Sequence, residues 1–117
     1  MPAGRMRRVD EAVREVLGDA ISRYLKDPRV GFVTVTAVKT SRDLRHARVY
    51  VSVLGDEPMR AATLQGLRSA HGFLQAAISR ELKLKHTPTL VFEYDETVER
   101  AARVTELIEH GPDLDRR

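Results

Sequence analysis

The chain contains no cysteine and no tryptophan, and only six of its 117 residues are phenylalanine or tyrosine. Without cysteine there can be no disulfide framework, no thiolate nucleophile and no cysteine-ligated zinc. With three Phe, three Tyr and no Trp, no aromatic platform of the kind that reads single-stranded RNA by stacking is evident. There is also no run of eighteen apolar residues, so no segment qualifies as a membrane-spanning helix. The N-terminus, MPAGRMRRVDEAV, lacks the apolar stretch of a secretory signal. Together these absences lead us to expect a cytoplasmic protein.

Catalytic constellations are missing as well. The four histidines, at positions 46, 71, 86 and 110, lack metal-ligand spacing. No serine has the context of a nucleophile elbow. Glu93 and Asp95 share a strand face by alternation, but a solvated strand edge explains them adequately. The expectation is a non-enzyme with no cofactor and no metal.

Charge is present and unevenly distributed. Residues 1–8 carry Arg5, Arg7 and Arg8 with no acid. Lys39, Arg42, Arg45 and Arg48 face only Asp43 within residues 39–48. Arg60, Arg68, Arg80, Lys83 and Lys85 outweigh two glutamates within residues 57–87. From Val91 onward eight acids outnumber four arginines. Any one cluster reads plainly as solvated surface charge. Three basic segments and one acidic end are the asymmetry of a polyanion-binding face turned away from its own acidic back.

Periodicity supplies the elements. Apolar residues at Val9, Ala12, Val13, Val16, Leu17, Ala20, Ile21, Tyr24 and Leu25 form the stripe of an amphipathic helix. Asp27-Pro28 stops it. GFVTVTAVK (31–39) and HARVYVSVL (46–54) alternate as strands and are joined by a short polar turn, which predicts an antiparallel hairpin. In the first strand Val33, Val35 and Ala37 alternate against Phe32, Thr34 and Thr36. The Ser41 and Asp43 side chains suit a turn. A helical pattern runs from Met59 to Leu84 and is interrupted at Gly72. TLVFEYD (89–95) is a third strand, and a last helix starts near Glu96-Thr97. Phe32, Phe73 and Phe92 are expected to pack in the core. The result is an α+β two-layer sandwich, with a three-stranded sheet and its helices on one face.

Gly72 has two readings. Either it permits close packing inside the protein, or it marks a kink whose exposed helix start meets a phosphate. The motif Ala70-His71-Gly72, together with RRVDEAVREVL, DPRVGFVTVTAVKTSRDLRHARVYVSVLG and LRSAHGFLQAAISRELKLKHTPTLVFEYDET, resembles the ribosome-binding factor A family over roughly residues 7–108. That resemblance implies a type II KH-like fold in the order α-β-β-α-kink-α-β plus a C-terminal helix. It places an Ala-x-Gly kink where KH domains carry Gly-x-x-Gly. It further implies binding to the small (30S) ribosomal subunit and its 16S rRNA, help in late maturation near the 5′ end of that RNA, and a role in cold adaptation. After Gly-Phe-Leu the family often carries a basic residue, where this chain has Gln75.

The expected organisation is a flexible basic N-terminus (1–8), a KH-like domain (9–110) and a flexible tail (111–117), monomeric when free. The candidate RNA-binding residues are Arg5, Arg7, Arg8, Lys39, Arg45 and Arg48, followed by Arg68, Ala70, His71, Gly72, Arg80, Lys83 and Lys85. With so few aromatics, recognition by backbone and shape is expected rather than base readout. Two other classes remain open on the residues alone: a KH-type RNA chaperone not tied to ribosomes, and a protein–protein adaptor.

Overall fold

A computed structural model describes residues 2–97. In chain order the elements are α1 (Pro2–Tyr24), β1 (Val33–Thr40), β2 (His46–Val53), α2 (Glu57–Ser69), α3 (His71–Glu81) and β3 (Thr89–Tyr94). The order α-β-β-α-α-β is the one anticipated. The expected last helix and the tail at 111–117 lie outside the described residues.

Helix α1 starts at Pro2, a residue whose fixed φ suits a first turn, rather than near Val9. Met6 carries the stripe of Val9 and Val13 one turn further back, so residues 2–8 continue the helix instead of forming a separate arm. Its inner face buries Val13, Leu17, Ala20 and Ile21. The chain then turns where expected. Asp27 accepts the Arg29 backbone N–H at 2.9 Å and holds the Arg29 guanidinium through both carboxylate oxygens.

Helix α2 begins two residues earlier than the apolar pattern suggests. Asp56 accepts the Met59 N–H at 3.1 Å as N-cap, and a proline sits in the first turn. The Gly55–Pro58 stretch is thus a strand end followed at once by a helix start. Against α2 packs the connection before β1. Buried Thr63 receives the Gly31 N–H and donates to the Arg29 carbonyl. A Cβ at Gly66 would lie 2.6 Å from Val30 Cγ2.

The sheet order is β1-β2-β3, with β1 antiparallel and β3 parallel to β2. Its inner face places Ala47, Val49, Val51, Val53, Leu90 and Phe92 in one core with α1, Leu67, Leu74 and Ile78. Alternation holds in β2 and β3 but fails in β1. The register shifts between Val35 and Ala37, leaving Thr36 unopposed as a β-bulge. Beyond it Val38, not Ala37, faces the core. The Thr36 hydroxyl sits between the Tyr50 carbonyl and the Asp95 carboxylate, fixing the bulge to β2 and to the end of β3.

Two of the three phenylalanines are not core residues. Phe92 is fully buried, but Phe32 is 80% and Phe73 43% exposed. Phe32 pairs with Leu54 at the far end of the sheet, where its carbonyl accepts the Leu54 N–H. Phe73 lies off the Leu74–Ala77–Ile78 stripe by which α3 packs.

Candidate nucleic-acid interface

Three segments distant in sequence meet at the hairpin end of the sheet. Asp10 on α1 accepts the Thr40 N–H at 2.9 Å, pinning the start of that helix to the end of β1. The Thr89 N–H donates to the Arg45 carbonyl at 2.8 Å, which brings the connection after α3 beside the hairpin turn. Between them opens a cleft of about 880 Å³. Arg5, Arg42, Arg45, Lys83 and Lys85 line it as exposed cations, against the single carboxylate of Asp43. Met6, Val9, Leu44 and Leu84 contribute half-buried apolar surface, and His86 completes the wall.

The turn that forms one side of the cleft is internally braced. The Ser41 hydroxyl donates to Asp43 and accepts the His46 N–H, while Asp43 also accepts the Arg45 N–H. These bonds, the Ser41 hydroxyl first, hold the Asp43 carboxyl below the usual carboxylate range, so it stays ionised. Both turn bonds fall on Oδ1, and Oδ2 lies 3.9 Å from Arg45 Nε, a long, exposed pair that still leaves the five cations in excess over the one carboxylate. Leu44 adopts φ 61°, the left-handed region that leucine rarely enters.

The kink lies at the other end of α3, eleven residues or roughly 16 Å away along the helix axis. Ala70 ends α2 and starts α3 without any side-chain cap. A Cβ on Gly72 would meet nothing within 4 Å, so no close approach inside the protein requires glycine there. Gly66 serves that internal role instead. His71 is exposed, with Nδ1 at 3.0 Å from the Arg68 carbonyl.

Of the anticipated residues, Arg5, Arg45, Lys83 and Lys85 converge on the cleft, whereas Ala70, His71 and Gly72 form the kink. Arg80 and Arg7 and Arg8 are exposed on α3 and α1 respectively. Lys39 and Arg48 pair across β1 and β2 on the open face of the sheet. Arg48 is 3.4 Å from Glu93, and Tyr50 followed by Glu93 raises its pKa further. Arg68, although exposed, donates to the Phe92 carbonyl at 2.9 Å and ties α2 to β3. Arg42 belongs to a basic cluster visible in the sequence, yet only the turn geometry assigns it to the site. Met6, Leu44 and Leu84 carry no sequence signal that separates them from ordinary core residues. Among the described residues no group of three acids or histidines could hold a metal, and no helix is long and apolar enough to cross a membrane.

The family model for ribosome-binding factor A matches residues 5–108. Ribosome-binding factor A of Halothermothrix orenii is 44% identical over 108 residues, 92% of this chain and 88% of that protein. The crystal structure of ribosome-binding factor A from Thermus thermophilus superposes with a TM-score of 0.68 at 30% identity, covering 76% of this chain and 94% of that one. A homology model of the Thermus thermophilus factor, fitted into the cryo-EM map of a 30S–factor complex, gives a TM-score of 0.62 at 30% identity, over 74% and 91% of the two chains. In sequence and in fold alike, the chain belongs to the ribosome-binding factor A family.

Proposed function

We propose that this protein binds the small ribosomal subunit and assists late maturation of 16S rRNA, acting through binding alone. The observation that carries the reading is the convergence of Arg5, Arg42, Arg45, Lys83 and Lys85 on one cleft, in a chain whose relative is described in a 30S complex. Cations gathered from three separated segments match a phosphate backbone better than scattered solvated charge does. The Ala70-His71-Gly72 kink, exposed at His71 and Gly72, offers a second contact, where an RNA backbone can approach Gly72 itself without meeting a side chain. Arg7, Arg8 and Arg80 extend the positive surface, and Lys39 and Arg48 flank it from the sheet. Arg68 acts as a structural tie. Binding of this kind favours one RNA conformer over another only by its difference in affinity for the two.

Sedimentation through a sucrose gradient tests the reading. The wild-type protein is expected with free small subunits and not with translating ribosomes. The R42E/R45E/K83E variant should stay at the top of the gradient. Equal affinity for unrelated free RNAs would instead indicate a general RNA chaperone. Association that survives nuclease and high salt would indicate a protein adaptor.

A further inference from the structure

We propose that the cleft seats one unpaired nucleotide of the bound RNA, its base against Leu44, Met6 and Leu84 and its flanking phosphates on Arg42, Arg45 and Lys83. The inference rests on the RNA-binding reading above and names the form of RNA that the cleft takes.

Two observations carry it. The first is the mixed character of the wall. A site that only tracked a duplex backbone would need cations and would gain nothing from apolar surface. Here half-buried Met6, Leu44 and Leu84 lie within the ring of exposed cations. Its volume of about 880 Å³ falls in the range of small-ligand sites. An unstacked nucleotide presents both matching parts, an apolar base face and charged phosphates.

The second is the backbone of Leu44. At φ 61° glycine or asparagine would sit with less strain. The bonds from Ser41 and Asp43 already define the turn without any help from the residue-44 side chain. Leucine there puts apolar surface into the cleft at a conformational cost, and such strain commonly accumulates at ligand-binding positions. Arg42 and Arg45, two residues before it and one after, are exposed beside it, Arg45 at 3.9 Å from Asp43, within reach of the phosphates on either side of a base lodged there.

The test compares L44N with wild type in two measurements. Asparagine tolerates the left-handed region, so the variant should melt at the same or a higher temperature. Its affinity for a labelled single-stranded RNA of about ten nucleotides, read by fluorescence anisotropy, should fall about tenfold, the loss typical of one base contact. Affinity for a blunt RNA duplex of the same length should be weaker in the wild type and unchanged in the variant. The inference is overturned by undiminished single-strand binding in L44N, by a wild type that binds duplex equally well, or by a marked fall in melting temperature, which would make Leu44 a packing residue. Co-sedimentation of the wild type with small subunits is read separately. Its absence overturns the ribosomal reading, while the oligonucleotide comparison decides the nucleotide seat in either case.

Discussion

Gly66 and Gly72 look alike in the sequence, both interrupting a helical pattern at a local cost. Their surroundings separate them. At Gly66 an added methyl group meets Val30 at 2.6 Å and approaches Arg29 and Asp27 at 3.5 Å, where the chain before β1 crosses α2. G66A should therefore destabilise the fold by about 1–3 kcal/mol, the usual cost of overpacking. At Gly72 the space is empty, and alanine should stabilise α3 by about 0.5–1 kcal/mol through helix propensity and a less flexible unfolded chain. Urea denaturation of both variants reads these opposite signs. If the kink contacts RNA backbone, G72A should also bind small subunits more weakly despite its greater stability. Binding unchanged in G72A would remove the kink from the interface.

Connections between elements have their own chemistry. The turn after α1 depends on Asp27, whose carboxyl is pushed down to about 2 by the Arg29 side chain and then by the Arg29 backbone N–H. The unfolded chain titrates this group near its ordinary value of about 3.9. Its contribution to stability is therefore complete above that value and is lost as the pH falls from about 4 towards 2. D27N should be the less stable protein at neutral pH, and the gap should close across that acid window. Thermal melts of the two proteins from pH 2 to 6 measure it, and a gap that persists at pH 2 would remove Asp27–Arg29 as its cause. Element types were legible because periods of 3.6 and 2 are written in the apolar residues. Their edges were less so. A cap such as Asp56 resembled a strand breaker, and the Thr36 bulge depends on partners in β2 and at the end of β3 that local alternation cannot register.

At the scale of the whole molecule, binding should weaken with salt in proportion to the phosphates neutralised. Replacing Arg42, Arg45 and Lys83 by glutamine should make the slope of log affinity against log salt shallower by about two to three units. The same replacement at Arg48, which is engaged by Glu93 and Tyr50 on the open sheet face, should change it by less. Titration of small-subunit binding across a range of salt concentrations checks both. Equal changes for Arg48 and for any one cleft cation would mean that the footprint extends over the sheet.

The sequence by itself determined the elements, their order and the basic character of the candidate interface, because helix and strand periodicity and net charge are local or additive properties. The family likeness was legible too, in the long central block of residues. Tertiary structure alone decided which basic residues lie together. Arg68 and Arg42 are equivalent on paper, yet one is turned onto the Phe92 carbonyl and the other onto the cleft. It also separated Gly66 from Gly72, exposed Phe32 and Phe73, and made Leu44 part of a wall. Each of these depends on where a neighbour distant in the chain comes to rest, and the parallel pairing of β3 with β2 is what brings the end of α3 back to the hairpin.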